Sequence, residues 1–236
     1  MHTKHHLQIN NEKIVYYEYA TDKPIKSIVI FCHGFPGGNR LTTMAESLID
    51  SGVLLIEANY RGDEGCEGKF SFFGSMDDIE ALTNNLKQQY INVPITALGF
   101  SAGGFFLCCI ARKQPDLFDK IVLLNPLLDV AFTRTPIMEV LWEEARQSLS
   151  LHDMDFYNDE IEKMHQEYNP IIFAPEIIPK INIVQSSNDE VLSPDTVREF
   201  YDKLPNPGEL VWIKGAGHGL RGDEPEIINT LTANLL

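Results

Sequence analysis

The sequence predicts an α/β fold: a mostly parallel twisted sheet with an antiparallel N-terminal hairpin, helices on both faces and one long helical insertion. Three observations carry this. Short, mostly apolar runs recur at Ile28 to Phe31, Val53 to Ile56, Ile95 to Leu98, Ile121 to Leu124 and Ile181 to Val184, as strands covered on both faces require. Helical patterns separate them, and right-handed crossovers then make the sheet parallel. Residues 127–179 break that rhythm, because they far exceed the about two to six residues of an ordinary connection in such units.

The elements follow in order. Leu7 to Ile9 and Ile14 to Ala20 are strand-like runs divided by the turn residues Asn10-Asn11-Glu12-Lys13, which predicts the hairpin. Met1-His2-Thr3-Lys4-His5-His6 holds three of the seven histidines but no cysteine or acidic ligand at useful spacing, so a frayed, solvated terminus is expected there. Ile79, Leu82, Leu86 and Tyr90 share one helical face, with Ser75 as the expected cap and Asp77 and Asp78 in the first turn. Ala102 to Lys113 is a second helix, ending in Arg112-Lys113 ahead of Pro115. In the insertion, Thr135-Pro136 opens a helix with Ile137, Leu141, Ala145 and Leu149 on one face, and Tyr157, Ile161, Met164 and Tyr168 mark another. Ser193-Pro194 opens a further helix with a capping serine, and the last is expected from about Pro225 to Leu235. Residues 1–236 thus read as one domain with a helical cap insertion at approximately 127–179, whose eleven acidic residues against three basic ones form solvated faces.

At 236 residues and 44% hydrophobic, the chain can bury one sizeable core. A formal net charge of -15 repels phosphate backbones and anionic lipid, which argues against nucleic-acid and membrane partners. No apolar run approaches the roughly 18 residues of a membrane span, and no basic stretch leads into an apolar one near the start, so a cytoplasmic protein is expected. Cys32, Cys66, Cys108 and Cys109 lie in or beside apolar patterns, two of them adjacent, which predicts reduced core thiols rather than disulfides or a metal site.

Gly99-Phe100-Ser101-Ala102-Gly103 directly follows one apolar run and directly precedes a helical pattern. A serine on a sharp strand-to-helix turn is pushed into a strained conformation with its hydroxyl clear of the sheet, and flanking glycines leave room for strand and helix. Ser101 is therefore the candidate nucleophile. Acyl transfer by serine also needs a base, an acid to orient that base, and donors for the oxyanion. His218, in Gly215-Ala216-Gly217-His218-Gly219 after the strand-like Leu210 to Ile213, is the candidate base, since an imidazole can accept and return a proton near neutral pH. Asp189, beyond the run at Ile181 to Val184, is the first choice for the acid, with Glu190 and Asp129 as rivals. His33-Gly34-Phe35-Pro36-Gly37 follows the first parallel strand. The N–H of Phe35 and that of Ala102, where a helix begins, are the expected oxyanion donors. His33 is read as a brace for that turn.

With these residues in place, the chain resembles the alpha/beta-hydrolase superfamily, and within it the small serine esterase and dienelactone-hydrolase-like group, related in fold to prolyl-oligopeptidase catalytic domains. The resemblance spans nearly the whole chain. His33 to Gly37, Asn59-Tyr60-Arg61-Gly62 with Glu67-Gly68-Lys69-Phe70, Gly99 to Gly104, the Asp189 segment and Gly217-His218-Gly219 stand in the expected order. Where relatives often carry a second glycine and a small hydroxyl residue after Arg-Gly, this chain has Asp63-Glu64-Gly65-Cys66. Arg61 is read first as an anchor of that loop and second as a substrate contact. The resemblance implies a serine hydrolase of the carboxylesterase kind, cleaving esters of small or medium acyl or aryl groups through an acyl-enzyme, with no cofactor and no metal. Trp142, Phe156 and Tyr157 are read first as packed against the sheet and second as walls of an apolar acyl or aryl pocket. The alternatives are a serine peptidase or amidase acting on short peptides or aminoacyl amides, and a non-catalytic hydrolase-like binding module. A homodimer is compatible with each.

Overall fold

In the computed structural model, which describes residues 2–20, 22–37, 48–219 and 229–230, the chain opens with a tight hairpin. β1 (Thr3–Ile9) pairs antiparallel with β2 (Glu12–Tyr19) across Asn10 and Asn11, which sit at φ 50° and 69°. Asparagine tolerates this left-handed conformation, and two in succession give the turn whose twist suits the flanking strands. The expected frayed terminus is thereby corrected: from Thr3 onward the residues are zipped onto β2, and His5 stacks on Tyr16 with ring centroids 5.2 Å apart. Along β1 His5, Leu7 and Ile9 turn inward and alternate with exposed Lys4, His6 and Gln8, but only Leu7 and Ile9 of that row are apolar, so the sequence pattern marks the second half of the strand alone.

β3 (Ser27–Cys32), β4 (Val53–Ala58), β5 (Ile95–Phe100), β6 (Lys120–Leu124), β7 (Ile181–Ser186) and β8 (Pro207–Ile213) complete an eight-stranded sheet in the order β1-β2-β4-β3-β5-β6-β7-β8. All pairs from β4 to β8 are parallel, and β2 joins β4 antiparallel. Along β3, Ile28, Ile30 and Cys32 enter one core while Val29 and Phe31 enter the other, which is why the strand reads as an unbroken apolar run. β4 is added on one side of β3 and β5 on the other. The carboxyl ends of β3 and β5 therefore border the crevice where open α/β sheets take ligands.

α1 (Phe72–Gln89) and α2 (Ala102–Lys113) pack on the first core. α1 begins a turn earlier than expected. Its N-cap is Ser71, whose hydroxyl accepts the Gly74 N–H at 2.8 Å, whereas Ser75 is buried in the first turn and donates to the Ser71 carbonyl. Phe72 and Phe73 are weak helix formers, and they hid this turn.

Between β6 and β7 lie a 3-10 turn (Val130–Arg134), α3 (Ile137–Ser148), α4 (Met154–Glu167) and the single turn α5 (Pro170–Phe173). On α3 the buried face is Met138, Trp142 and Ala145, one residue out of phase with the expected row. Two apolar rows run side by side on this helix. The sequence does not say which one meets the core.

On α4, Tyr157 and Met164 are buried as expected, and so is Glu160 between them. Its carboxylate accepts the Ser71 hydroxyl at 2.6 Å and the N–H groups of Phe72 and Phe73 at 3.0 and 3.3 Å. This anion sits on the N-terminal end of α1, where the helix dipole and unpaired N–H groups favour it. Two backbone bonds of 2.8 Å, Phe70 N–H to the Ser150 carbonyl and Ser150 N–H to the Gly62 carbonyl, hold the same seam. Glu160→Gln turns one acceptor into an amide that meets only donors. The expected loss is about 1–3 kcal/mol, read as a lower urea midpoint at unchanged slope; an unmoved midpoint would show that the clasp contributes nothing.

α6 (Pro194–Lys203) follows Ser193, as expected, but that serine makes no side-chain capping bond. The expected helix from Pro225 to Leu235 lies outside the described residues except for 229–230. All four cysteines are free, three buried and Cys66 half-buried. No helix among the described residues is long and apolar enough to cross a membrane.

Candidate active site

Ser101 joins β5 to α2 at φ 54° and ψ -119°. Backbone strain of this kind, of order 1–3 kcal/mol, persists only where the surroundings enforce it. Here the Ser101 N–H donates to the Leu124 carbonyl at 3.1 Å, and its carbonyl accepts from Gly104 and Leu127 at 2.9 Å each. Only glycine fits at 103, because a Cβ there would stand 2.0 Å from the Cys32 carbonyl oxygen. That contact sets α2 directly against the end of β3.

Ser101 Oγ lies 3.1 Å from His218 Nε2, and His218 Nδ1 lies 2.8 Å from Asp189 Oδ2. The hydroxyl donating to Nε2, with Nδ1–H donating to the carboxylate, is the proton assignment that satisfies all three groups. Asp189 is buried in the loop after β7. Its Oδ1 accepts the N–H groups of Val191 and Leu192 at 2.9 and 2.8 Å, and Oδ2 also receives the Gln185 amide at 3.3 Å. The two rivals are engaged elsewhere. Glu190 accepts the His218 backbone N–H at 3.2 Å, while Asp129 caps the 3-10 turn and accepts from Ala131 N–H and the Asn169 amide, each at 3.0 Å.

Sequence reasoning misses Asn125. It follows β6 at φ 42°, fully buried, and its amide donates to the His218 carbonyl and the Ser186 hydroxyl at 2.9 Å each. Its Oδ1 accepts the Ser186 N–H at 2.7 Å, so one side chain ties the His218 loop to the end of β7. A usable signal was present: an asparagine, tolerant of left-handed φ, stands just past an apolar strand and before a proline.

In the turn after β3, Gly34 is pressed against the nucleophile, since a Cβ there would lie 2.9 Å from Ser101 Cβ. Phe35 and Ala102 border the same crevice. Ala102 opens α2, so its N–H has no intrahelical acceptor. No backbone carbonyl among the described residues takes up the Phe35 N–H. His33 is buried behind the turn, its Nε2 2.9 Å from Asp63 Oδ2 and its Nδ1 2.8 Å from the Gly34 carbonyl oxygen. Arg61 is a loop anchor: its Nη2 and Nε reach Asp78 at 2.7 and 3.1 Å, and its N–H reaches the same carboxylate at 2.8 Å. Burial raises the Asp78 carboxyl above its ordinary value, and the guanidinium offsets only part of that.

A cavity of about 220 Å³ opens over Ser101, lined by apolar residues such as Phe35, Phe132, Ile137, Met138 and Leu141, with Thr133 and Glu144 as polar members. Of the two roles read for them, Trp142 and Tyr157 take the packed one, buried against each other at 4.6 Å, and Phe156 stacks on His152 at 3.9 Å. Large rings remove the most apolar area from water, and that drew Trp142 and Tyr157 into the core. Burial pushes the Cys66 thiol up to about 12, which leaves it inert as a nucleophile. Among the described residues, no group of three or more His, Cys, Asp or Glu side chains is placed to hold a metal ion. A hydroxyl, an imidazole and a carboxylate in series can move the serine proton to the ring and stabilise the resulting cation.

Comparison with known proteins fits this geometry. The family model described as "Serine aminopeptidase, S33" matches residues 23–167. A monoglyceride lipase homolog of monkeypox virus is 24% identical over 242 residues, covering 87% of each chain. The acylamino-acid-releasing enzyme of Sus scrofa is 24% identical over 237 residues, which are 92% of this chain but 32% of that protein. Among solved structures, Est1E of Butyrivibrio proteoclasticus with ferulic acid bound superposes with a TM-score of 0.80 at 16% identity, over 98% of this chain and 97% of that one. The family match extends over more than half of the sequence and the sheet has the matching topology, so the chain belongs to the serine aminopeptidase S33 family and is a serine hydrolase of alpha/beta-hydrolase fold.

Proposed function

We propose that the chain hydrolyses carboxylic esters of small or medium acyl or aryl groups through an acyl-enzyme, with Ser101, His218 and Asp189 as its triad. The observation that carries this reading is the continuous series Ser101 Oγ, His218, Asp189, at 3.1 and 2.8 Å, on the floor of an apolar crevice. His218 takes the hydroxyl proton as Ser101 attacks the ester carbonyl, and the oxyanion rests on the N–H groups of Phe35 and Ala102. The imidazolium protonates the leaving alcohol, and a water activated by the same ring releases the acid. α3 acts as a cap over the acyl group. The cavity volume suits a short acyl or single aryl group, and Est1E holds ferulic acid, an aryl acid, on the same fold. Four free cysteines suit a reducing compartment, the cytoplasm.

One observation favours a second reading. The Glu144 side chain lines the otherwise largely apolar cavity, and a carboxylate there would attract the ammonium group of an aminoacyl amide. Turnover of p-nitrophenyl acetate and butyrate, run beside aminoacyl-nitroanilides, separates the two. Faster ester turnover and a fluorophosphonate adduct mapped to the Ser101 peptide are expected. Faster nitroanilide turnover would replace the ester reading with the amide one, and absence of any adduct would overturn both.

A further inference from the structure

We propose that Asp63 holds His33 as a buried imidazolium, and that this pair is a positioning device which aims the Phe35 N–H at the oxyanion. The consequence for rate rests on the acyl-hydrolase reading above; the charge state does not. Both ring nitrogens of His33 face oxygens that carry no proton, the Asp63 carboxylate at 2.9 Å and the Gly34 carbonyl at 2.8 Å. A neutral imidazole has one N–H and one lone pair, so either neutral tautomer would set a lone pair against an oxygen where the His33 and Asp63 side chains are both only 8% exposed, at the edge of a cavity they share with Glu57 and Glu64. Only the doubly protonated ring donates to both.

The Gly34 carbonyl and the Phe35 N–H belong to one planar peptide unit and point in opposite directions. A bond that pins the carbonyl toward His33 turns the N–H away from the ring, toward the crevice that Phe35 borders and His33 does not. The groups packed around His33 suit a cation. Asp63 Oδ2 also accepts the Tyr60 N–H at 2.6 Å, which fixes the carboxylate, and the Tyr60 ring lies 4.2 Å from the imidazole. The buried Glu57 adds a second negative charge nearby. Burial alone would lower the His33 pKa, but the charge and hydrogen bond of Asp63, the Gly34 carbonyl and Glu57 outweigh it and leave the value raised. Asp63 also lies in the segment where the Arg-Gly loop departs from the pattern its relatives often carry.

The sign follows from the direction of the shift. A raised value in the fold means that the pair is complete below the ordinary histidine range and is lost as pH climbs through the folded value. Deprotonation of His33 then frees the Gly34 carbonyl, and kcat falls on the alkaline side. The test is a titration of the 15N imidazole signals of His33 in the wild-type protein, run beside the pH profile of kcat. Two protonated nitrogens at neutral pH are expected, with proton loss in step with the alkaline limb. Asp63→Asn should leave the ring neutral at neutral pH, lower kcat by about 10²-fold with KM little changed, and move the limb to lower pH; Asp63→Glu should restore part of kcat. A singly protonated His33 in the wild type, or wild-type kcat and an unmoved limb in Asp63→Asn, would overturn the proposal. If Asp63→Asn does not fold, the wild-type titration decides alone. Failure of the hydrolase reading shows separately, as absence of the Ser101 adduct.

Discussion

Ser101→Ala is expected to lower kcat by about 10⁶-fold, and the double variant Ser101→Ala, His218→Ala to lower it no further. The hydroxyl and the imidazole are one device, joined at 3.1 Å, and the ring has no task once the oxygen it would deprotonate is gone. Residual turnover would come from the oxyanion donors and from binding in the crevice, neither of which either change removes. Alanine at 101 keeps the backbone bonds to Leu124, Gly104 and Leu127, so the fold should survive with a similar unfolding midpoint. Single-turnover assays with p-nitrophenyl butyrate measure the effect. A further large loss in the double variant would mean that His218 serves a reaction that does not pass through Ser101.

Asp189→Asn should lower kcat by about 10⁴-fold while leaving stability nearly intact. The local donors dictate why. Val191 and Leu192 both donate to Oδ1, so an asparagine here turns its oxygen toward those two N–H groups and its NH2 toward His218. Nδ1 must then accept, which puts the ring proton on Nε2, the atom that has to receive the proton of Ser101. The variant is thus locked in the wrong tautomer by its own backbone. Measured kcat together with thermal unfolding decides the matter, and a loss smaller than about tenfold would remove Asp189 from the role of acid.

The parallel sheet was legible because β3 to β7 are buried on both faces and so carry mostly apolar runs, and the three candidate site residues because each follows an apolar run, though the one before His218, in β8, is only part-buried. β1 was legible only over Leu7 to Ile9, because the inner row that alternates with exposed His6 and Gln8 continues through His5, which is not apolar. The phase of α3 depends on which of two adjacent apolar rows finds the core, and that is a property of its neighbours. Polar residues were the hardest to place. Asn125 has no visible task until Ser186 and His218, 61 and 93 positions away, arrive beside it. Glu160 looks like one more solvated acid until Phe72, 88 positions earlier, presents its N–H. Asp63 stood out only as a departure from a pattern, and its partner His33 is 30 positions upstream.

The carboxylate of Glu160 on the end of α1 bears on how molecules come and go. Swinging α4 outward would strip a buried anion of its three donors, at a cost of about 3–5 kcal/mol. The expected route is therefore past Ile137 and Leu141 of α3, which line the crevice over Ser101 and whose rotamer changes take about nanoseconds where exposed. An enzyme entered in this way is expected to be paced by its bond-making and bond-breaking steps, so that kcat does not change with solvent viscosity.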